Sequence, residues 1–242
     1  MHVGASYLNA IHHHHSIQFC VGLDGSFDSR TTEDGDWDKG DSMVIPPDCP
    51  HQIDSGSGRL LTFFLEPEHR SVDQNRFQSL DSLQFGFLDS DTVEQLKRLG
   101  LELAEQNDVK KANRVKSLVF GAMSPERETQ ELDPRIRKAM QLANRQGESV
   151  LSMEDMAEEV NLSASRFSHL FKESVSVPYQ RYVLWQRLLF ALRELRDGVQ
   201  LTDVAHSAGF SDSAHFSRTF RKMFGMSPSD LVKNSQFVQV EE

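Results

Sequence analysis

The chain has 242 residues, enough for one large or two ordinary domains, and its 38% hydrophobic and 26% charged residues describe a soluble folded protein rather than a disordered one. The mean hydropathy of -0.48, the lack of any apolar run of about eighteen residues and the lack of a secretory-type start predict no membrane span; with only Cys20 and Cys49, no disulfide framework is expected and a reducing cytoplasm is. The net charge of -10 lies wholly in residues 1–132, with 12 Lys and Arg against 22 Asp and Glu. The remainder carries 14 of each, so neither half is a basic domain.

Residues 1 to about 66 read as strands and turns. Ile17, Phe19, Val21 and Leu23 alternate with period two before an Asp24-Gly25 turn. Ser42 to Ile45 is a short apolar run stopped by Pro46-Pro47, and Leu60 to Leu65 is another, bounded by Pro67. The acidic stretch Glu33, Asp34, Asp36 and Asp38 reads as a solvated loop. From Val93 the period becomes helical: Val93, Leu96, Leu99/Gly100 and Leu103, then Val109, Ala112, Val115, Val119 and Ala122. These two helices suit barrel packing or a homodimer contact through 93–123. Residues 124–132, rich in charge, containing Pro125 and closely followed by Pro134, form the candidate linker between a domain at 1–123 and a helical one at 133–234. A polar tail, 235–242, is expected to fray.

The helical half contains a repeat. Ala157, Val160, Asn161, Leu162 and Ser163 are echoed by Ala205, Ala208, Gly209, Phe210 and Ser211 at an offset of 48, and Phe167, Ser168, Leu170, Phe171 and Lys172 by Phe216, Ser217, Thr219, Phe220 and Arg221 at 49. Each copy reads as a short helix, a tight turn and a Ser-capped second helix, the helix-turn-helix unit. On the helical wheel Phe167, Leu170, Phe171 and Ser174 share one face, and Ser165, His169 and Lys172 fall opposite, flanked by Arg166, Ser168 and Glu173. In the second copy Phe216, Phe220 and Met223 point inward, while Ala214, Arg218 and Arg221 point out, flanked by Ser213, His215, Ser217 and Lys222. Donors and cations of this kind suit bases and phosphates in a major groove. Between the copies, Pro178 to Arg196 predicts a connecting helix of roughly 28 Å, close to the ~34 Å between successive major-groove faces.

Residues 133–233 resemble the DNA-binding domain of AraC/XylS-type bacterial transcription regulators. The resemblance rests on Val204, Ala205, Gly209, Phe210, Phe216, Phe220, Arg221, Lys222, Gly225, Ser227 and Pro228, with Asn161 and Ser176 standing for glycines of the first copy. Tyr182 and Arg187 match a Tyr and an Arg of the family's connector. The resemblance implies an α+β chain: a small cupin-like barrel with flanking helices, then the all-α double helix-turn-helix domain. It also implies double-stranded DNA and RNA polymerase as partners, and a small-molecule effector or dimerisation role for the first domain.

Within that first domain, Gly40, Pro46 and His51 resemble the second cupin motif, and His12, His14, Gln18 and Gly25 the first, with Gln18 in place of a glutamate. Three imidazoles suit a transition metal, but without the carboxylate no cofactor is expected. If one strand carries these residues, His12, His14 and Gln18 lie opposite the apolar Ile17–Leu23 face and should be exposed. Cys49 has no resolving cysteine nearby and carries no redox reading. No catalytic constellation is present, so a non-enzymatic regulator is expected. The alternatives are a metal-binding cupin enzyme and a metal or pH sensor with a helical accessory domain.

Overall fold

The alternating stretch at 17–23 becomes the centre of a sheet. The structure, a computed structural model, describes residues 1–5, 8–67, 80, 82–106, 108–123, 132–144 and 151–237. Strands β1 (His2–Ala5), β2 (Ile17–Gly22), β3 (Phe27–Arg30), β4 (Asp38–Gly40), β5 (Ser42–Ile45), β6 (Gln52–Asp54), β7 (Arg59–Leu65) and β8 (Gln84–Phe85) precede helices α1 (Ser90–Glu105) and α2 (Val109–Met123). With β9 (Ser235–Phe237) they form a six-stranded antiparallel sheet, β8-β5-β2-β7-β1-β9, and a three-stranded one, β4-β3-β6.

Strand β2 is buried along its whole length. On one face Ile17, Phe19 and Val21 meet Leu61 and Phe63 and the apolar stripes of the helices, Val93, Leu96 and Leu103 of α1 and Ala112, Val115 and Val119 of α2. Gly100 permits the close approach, because a Cβ there would lie 2.6 Å from a Leu23 methyl. The stripes suggested for dimerisation are therefore inside this unit, and a homodimer through 93–123 would have to use the outer helix faces.

The other face of β2 corrects an expectation. Gln18 and Cys20, opposite the apolar side, are buried with Thr62, and so are His12, His14 and His51. The three-stranded sheet lies over that face, with the Ser29 hydroxyl donating to Met43 Sδ at 3.3 Å. A strand between two neighbours and beneath a second layer has no solvent face, whatever its alternation suggests. Among the described residues the sheets are not closed, so the expected cupin-like barrel is not confirmed; a β-rich domain followed by a helical one is what holds. The expected fraying tail begins differently too. Ser235–Phe237 pairs with β1, His2 opposite Phe237, which covers an edge that would otherwise present unpaired backbone groups.

The helical half contains α3 (Pro134–Ala143), α4 (Met153–Glu159), α5 (Ala164–Val175), α6 (Tyr179–Arg196), α7 (Leu201–Ser207), α8 (Ser213–Phe224) and α9 (Pro228–Asn234). Phe167, Leu170, Phe171 and Val175 of α5 pack with Ile136 and Ala139 of α3, Met156 and Ala157 of α4, and Tyr179 and Tyr182 of α6. By contacts the chain divides into Met1–Thr129 with Phe220–Glu242, and Gln130–Thr219. The candidate linker, apart from Leu132, lies outside the described residues. Among the described residues no helix is long and apolar enough to cross a membrane.

Candidate nucleic-acid interface

The two copies of the repeat close their turns with the same hydrogen bonds. After α4, Asn161 N–H donates to the Glu158 carbonyl at 2.9 Å and Leu162 N–H to that of Ala157 at 2.8 Å. After α7, Gly209 N–H donates to His206 at 2.9 Å and Phe210 N–H to Ala205 at 2.8 Å. Both are Schellman ends, which need a left-handed residue at the turn. Asn161 (φ 56) and Gly209 (φ 75) supply it. Asparagine is the side chain that best tolerates this region after glycine, which is why the first copy can do without one.

The second helices begin alike as well. Ser163 Oγ accepts from Arg166 N–H at 3.3 Å, and in the later copy Asp212 Oδ1 accepts from His215 N–H at 2.6 Å. The cap of α8 is thus Asp212, 49 residues beyond Ser163, rather than Ser211 as the sequence echo suggested. Ser211 Oγ instead lies 3.1 Å from His215 Nδ1. Both helices end in left-handed residues, Ser176 (φ 68) donating to the Lys172 carbonyl at 2.9 Å and Gly225 (φ 71) to that of Arg221 at 2.8 Å.

On α5, Phe167, Leu170 and Phe171 are buried; Ser165, Arg166, His169 and Lys172 are exposed, and Ser168 is half-buried. On α8, Phe216 and Phe220 are buried; Ala214, His215, Arg218, Arg221 and Lys222 are exposed, with Ser213 and Ser217 half-buried. His169 Nδ1 lies 3.7 Å from Glu173 Oε2 on the outer face of α5, a negative charge beside the only candidate imidazole there. His215 packs edge-on against Phe210, ring centroids 5.5 Å apart.

Two connector residues hold the units to α6. Arg187 Nε donates to the Ala208 carbonyl at 2.6 Å, its Nη2 donates to that of Gly209, and its guanidinium stacks 4.3 Å over the Phe210 ring. The α7–α8 turn is therefore clamped by a cation that also satisfies two helix-end carbonyls. A Cβ at Gly209 would approach that guanidinium to 3.3 Å. Tyr182 anchors the other side, its hydroxyl donating to Asn144 Oδ1 at 3.1 Å. Sequence matching located both residues without revealing these roles, since their partners are main-chain atoms or distant in sequence.

In the β-rich unit the predicted histidines converge. The ligating atoms of His12, His14 and His51 all lie within 4.8 Å of one another, and each ring is buried. Burial pushes His12 down to about 3, with the neighbouring His14 adding to the effect, and His14 down to about 4; it holds His51 well below its ordinary value. All three are neutral imidazoles at neutral pH. Gln18 joins them, with Oε1 2.8 Å from His14 Nε2. Burial pushes the Cys20 thiol up to about 12 and raises that of Cys49, so neither is a reactive thiolate.

The arrangement of the helices matches known proteins. Residues 156–234 match a family model described as a helix-turn-helix domain. The Msm operon regulatory protein of Streptococcus mutans is 30% identical over 102 residues, 42% of this chain and 37% of that protein. The HTH-type transcriptional activator RhaS of Escherichia coli is 40% identical over 77 residues, 31% of this chain and 28% of that protein. These matches span well under half of the relatives' own lengths. In fold, ToxT of Vibrio cholerae is similar over 96% of both chains, with a TM-score of 0.61 at 10% identity; an apo variant of ToxT gives 0.65 at 12%, again over 96% of both. With its duplicated turns, caps and cores, the stretch 156–234 is a helix-turn-helix domain, similar to those of these transcription regulators.

Proposed function

We propose that this chain is a sequence-specific DNA-binding transcription regulator whose α5 and α8 enter successive major grooves of one promoter site. The observation that carries the reading is the duplicated turn, with Asn161 and Gly209 setting two capped helices whose outer faces offer Ser165, Arg166, His169 and Lys172 in one copy and Ala214, Arg218, Arg221 and Lys222 in the other. The 18 residues of α6 span about 27 Å as a rigid rod, suited to two grooves one turn apart. Arg218, central and exposed, reads base edges together with His169. Lys172, Arg221 and Lys222 meet phosphates, and Arg166, Ser168, Ser213, His215 and Ser217 flank them.

Bound there, the protein recruits or blocks RNA polymerase, works in the cytoplasm and performs no catalysis; the family comparisons do not favour the metal-dependent enzyme. Residues 133–234 act as the DNA-binding domain and 1–123 as the regulatory one, whose β-rich layer stands where a cupin-like domain would. ToxT of Vibrio cholerae has been solved with an unsaturated fatty acid bound, which supports a small-molecule effector for this unit too. The test is footprinting of the full chain on genomic fragments at two salt concentrations. A protected site of about 17 to 20 base pairs, covering two major-groove faces on one side of the duplex, is expected. Protection of one groove only, or none above random DNA, overturns the reading.

A further inference from the structure

The histidine cluster of the β-rich unit is built like a ligand set. His12 and His51 are bridged through their main chains, His12 N–H donating to the His51 carbonyl at 3.0 Å and His51 N–H to that of His12 at 2.8 Å. Their rings stand 4.1 Å apart, and His14 lies 5.1 Å from His51 and 5.7 Å from His12. Each Nδ1 sits against a main-chain carbonyl: Ala10 at 2.9 Å, Ser16 at 3.0 Å and Cys49 at 3.0 Å. His12 and His51, whose Nδ1–H donates this way, turn an Nε2 lone pair inward, which is how metal-ligating histidines are oriented, while His14 Nε2, 2.8 Å from Gln18 Oε1, shares a proton with that oxygen that an ion would replace. His51 Nε2 is buried and has no hydrogen-bond partner. Such a nitrogen needs an explanation, and neighbouring imidazole lone pairs do not supply a donor. The Gln18 amide beside His14 offers a fourth, oxygen donor.

The cluster also touches the end of α8. Ala10 N–H donates to the Gly225 carbonyl at 2.8 Å, and a Cβ on Gly225 would lie 2.7 Å from His12 Nδ1. The segment that presents His12 is therefore the one on which the last turn of the second recognition helix rests.

We propose that His12, His14 and His51 bind a divalent transition-metal ion of the class imidazole prefers, such as Zn2+ or Co2+, and that the ion steadies the Ala10–His12 segment against Gly225. The regulatory meaning of that coupling rests on reading α8 as a DNA helix; metal binding and its effect on the segment do not. Nitrogen donors with one neutral oxygen favour Zn2+, Co2+, Ni2+ or Cu2+ over Mg2+ or Ca2+.

The experiment uses the full chain, purified without a metal-affinity column, stripped with chelator and titrated with Co2+ alone. Saturable visible d–d absorption is expected, displaced by Zn2+, absent in His51→Gln and in His14→Gln and retained in His13→Gln. A circular-dichroism melt shows which variants still fold. Gln18→Glu, which places a carboxylate among the donors, should tighten binding by roughly ten-fold or more. In the same protein, hydrogen exchange at the Ala10 amide should slow when Zn2+ is bound. No saturable absorption in the folded wild type overturns the site, whatever the variants do. Equal loss in His13→Gln reassigns binding to the surface of the histidine run and overturns it as well. Metal binding with unchanged exchange at Ala10 overturns the coupling. Failure of DNA binding beside intact Co2+ absorption would fall on the functional reading alone.

Discussion

Asn161, Ser176, Gly209 and Gly225 occupy equivalent left-handed positions in the two copies, yet only the second copy uses glycine for both. A residue with a Cβ at such a φ carries a cost of about 1–2 kcal/mol, which asparagine reduces and serine does not. Ser176→Gly is therefore expected to raise the unfolding free energy by about 1 kcal/mol, read by chemical denaturation. Gly225→Ala should do the opposite and by more, because its Cβ would also lie 2.5 Å from the Ala10 carbonyl oxygen and 2.9 Å from the Asn9 Cβ. A neutral Ser176→Gly would mean that the first unit relaxes out of this backbone. The sequence echo revealed that these positions correspond. It could not reveal that Gly225 is doubly constrained, because Ala10 is far away along the chain.

The repeated helices were legible from their Phe spacing and small turn residues, because local hydrogen bonds and one apolar stripe determine them. What holds the copies to the connector was not, since Arg187 acts on main-chain carbonyls. Removing that clamp leaves the Ala208 and Gly209 carbonyls and the Phe210 face without their cation. Arg187→Ala is expected to cost about 1.5–3 kcal/mol, the range of hydrogen bonds to a charged group, and Arg187→Lys to recover only part, since an ammonium cannot form both bonds and stack. Thermal unfolding measures both; an unchanged melting temperature for Arg187→Ala would sink the clamp. At the start of α5, Ser163→Ala should cost about 1 kcal/mol through the lost cap. The β-rich half was less legible for a related reason. Alternation in β2 identified the core face, but only the second sheet, a long-range partner, explains why Gln18 and the histidines are buried as well.

Charge acts on the whole molecule. The acidic excess of the chain lies in residues 1–132, so on the proposed DNA-binding reading the helices approach a polyanion while carrying a repelling unit. Arg166, Lys172, Arg218, Arg221 and Lys222 are the exposed cations of the two recognition helices. If all five neutralised phosphates, log K would fall with log salt at a slope of about -4.5. Added salt also screens the repulsion from the acidic unit, which makes the observed slope shallower. Within it the residues should separate. Lys172→Ala and Lys222→Ala are expected to weaken specific and random duplexes alike and to reduce the slope by about one each. Arg218→Ala should instead cost about 1–3 kcal/mol on the specific site and relax preference at one base pair, since a guanidinium fork can bond two acceptors of a guanine. Competition binding against both duplexes at several salt concentrations distinguishes the two classes. Equal loss on both duplexes for Arg218→Ala would move it to the phosphate contacts and leave base reading to other residues of α5 and α8.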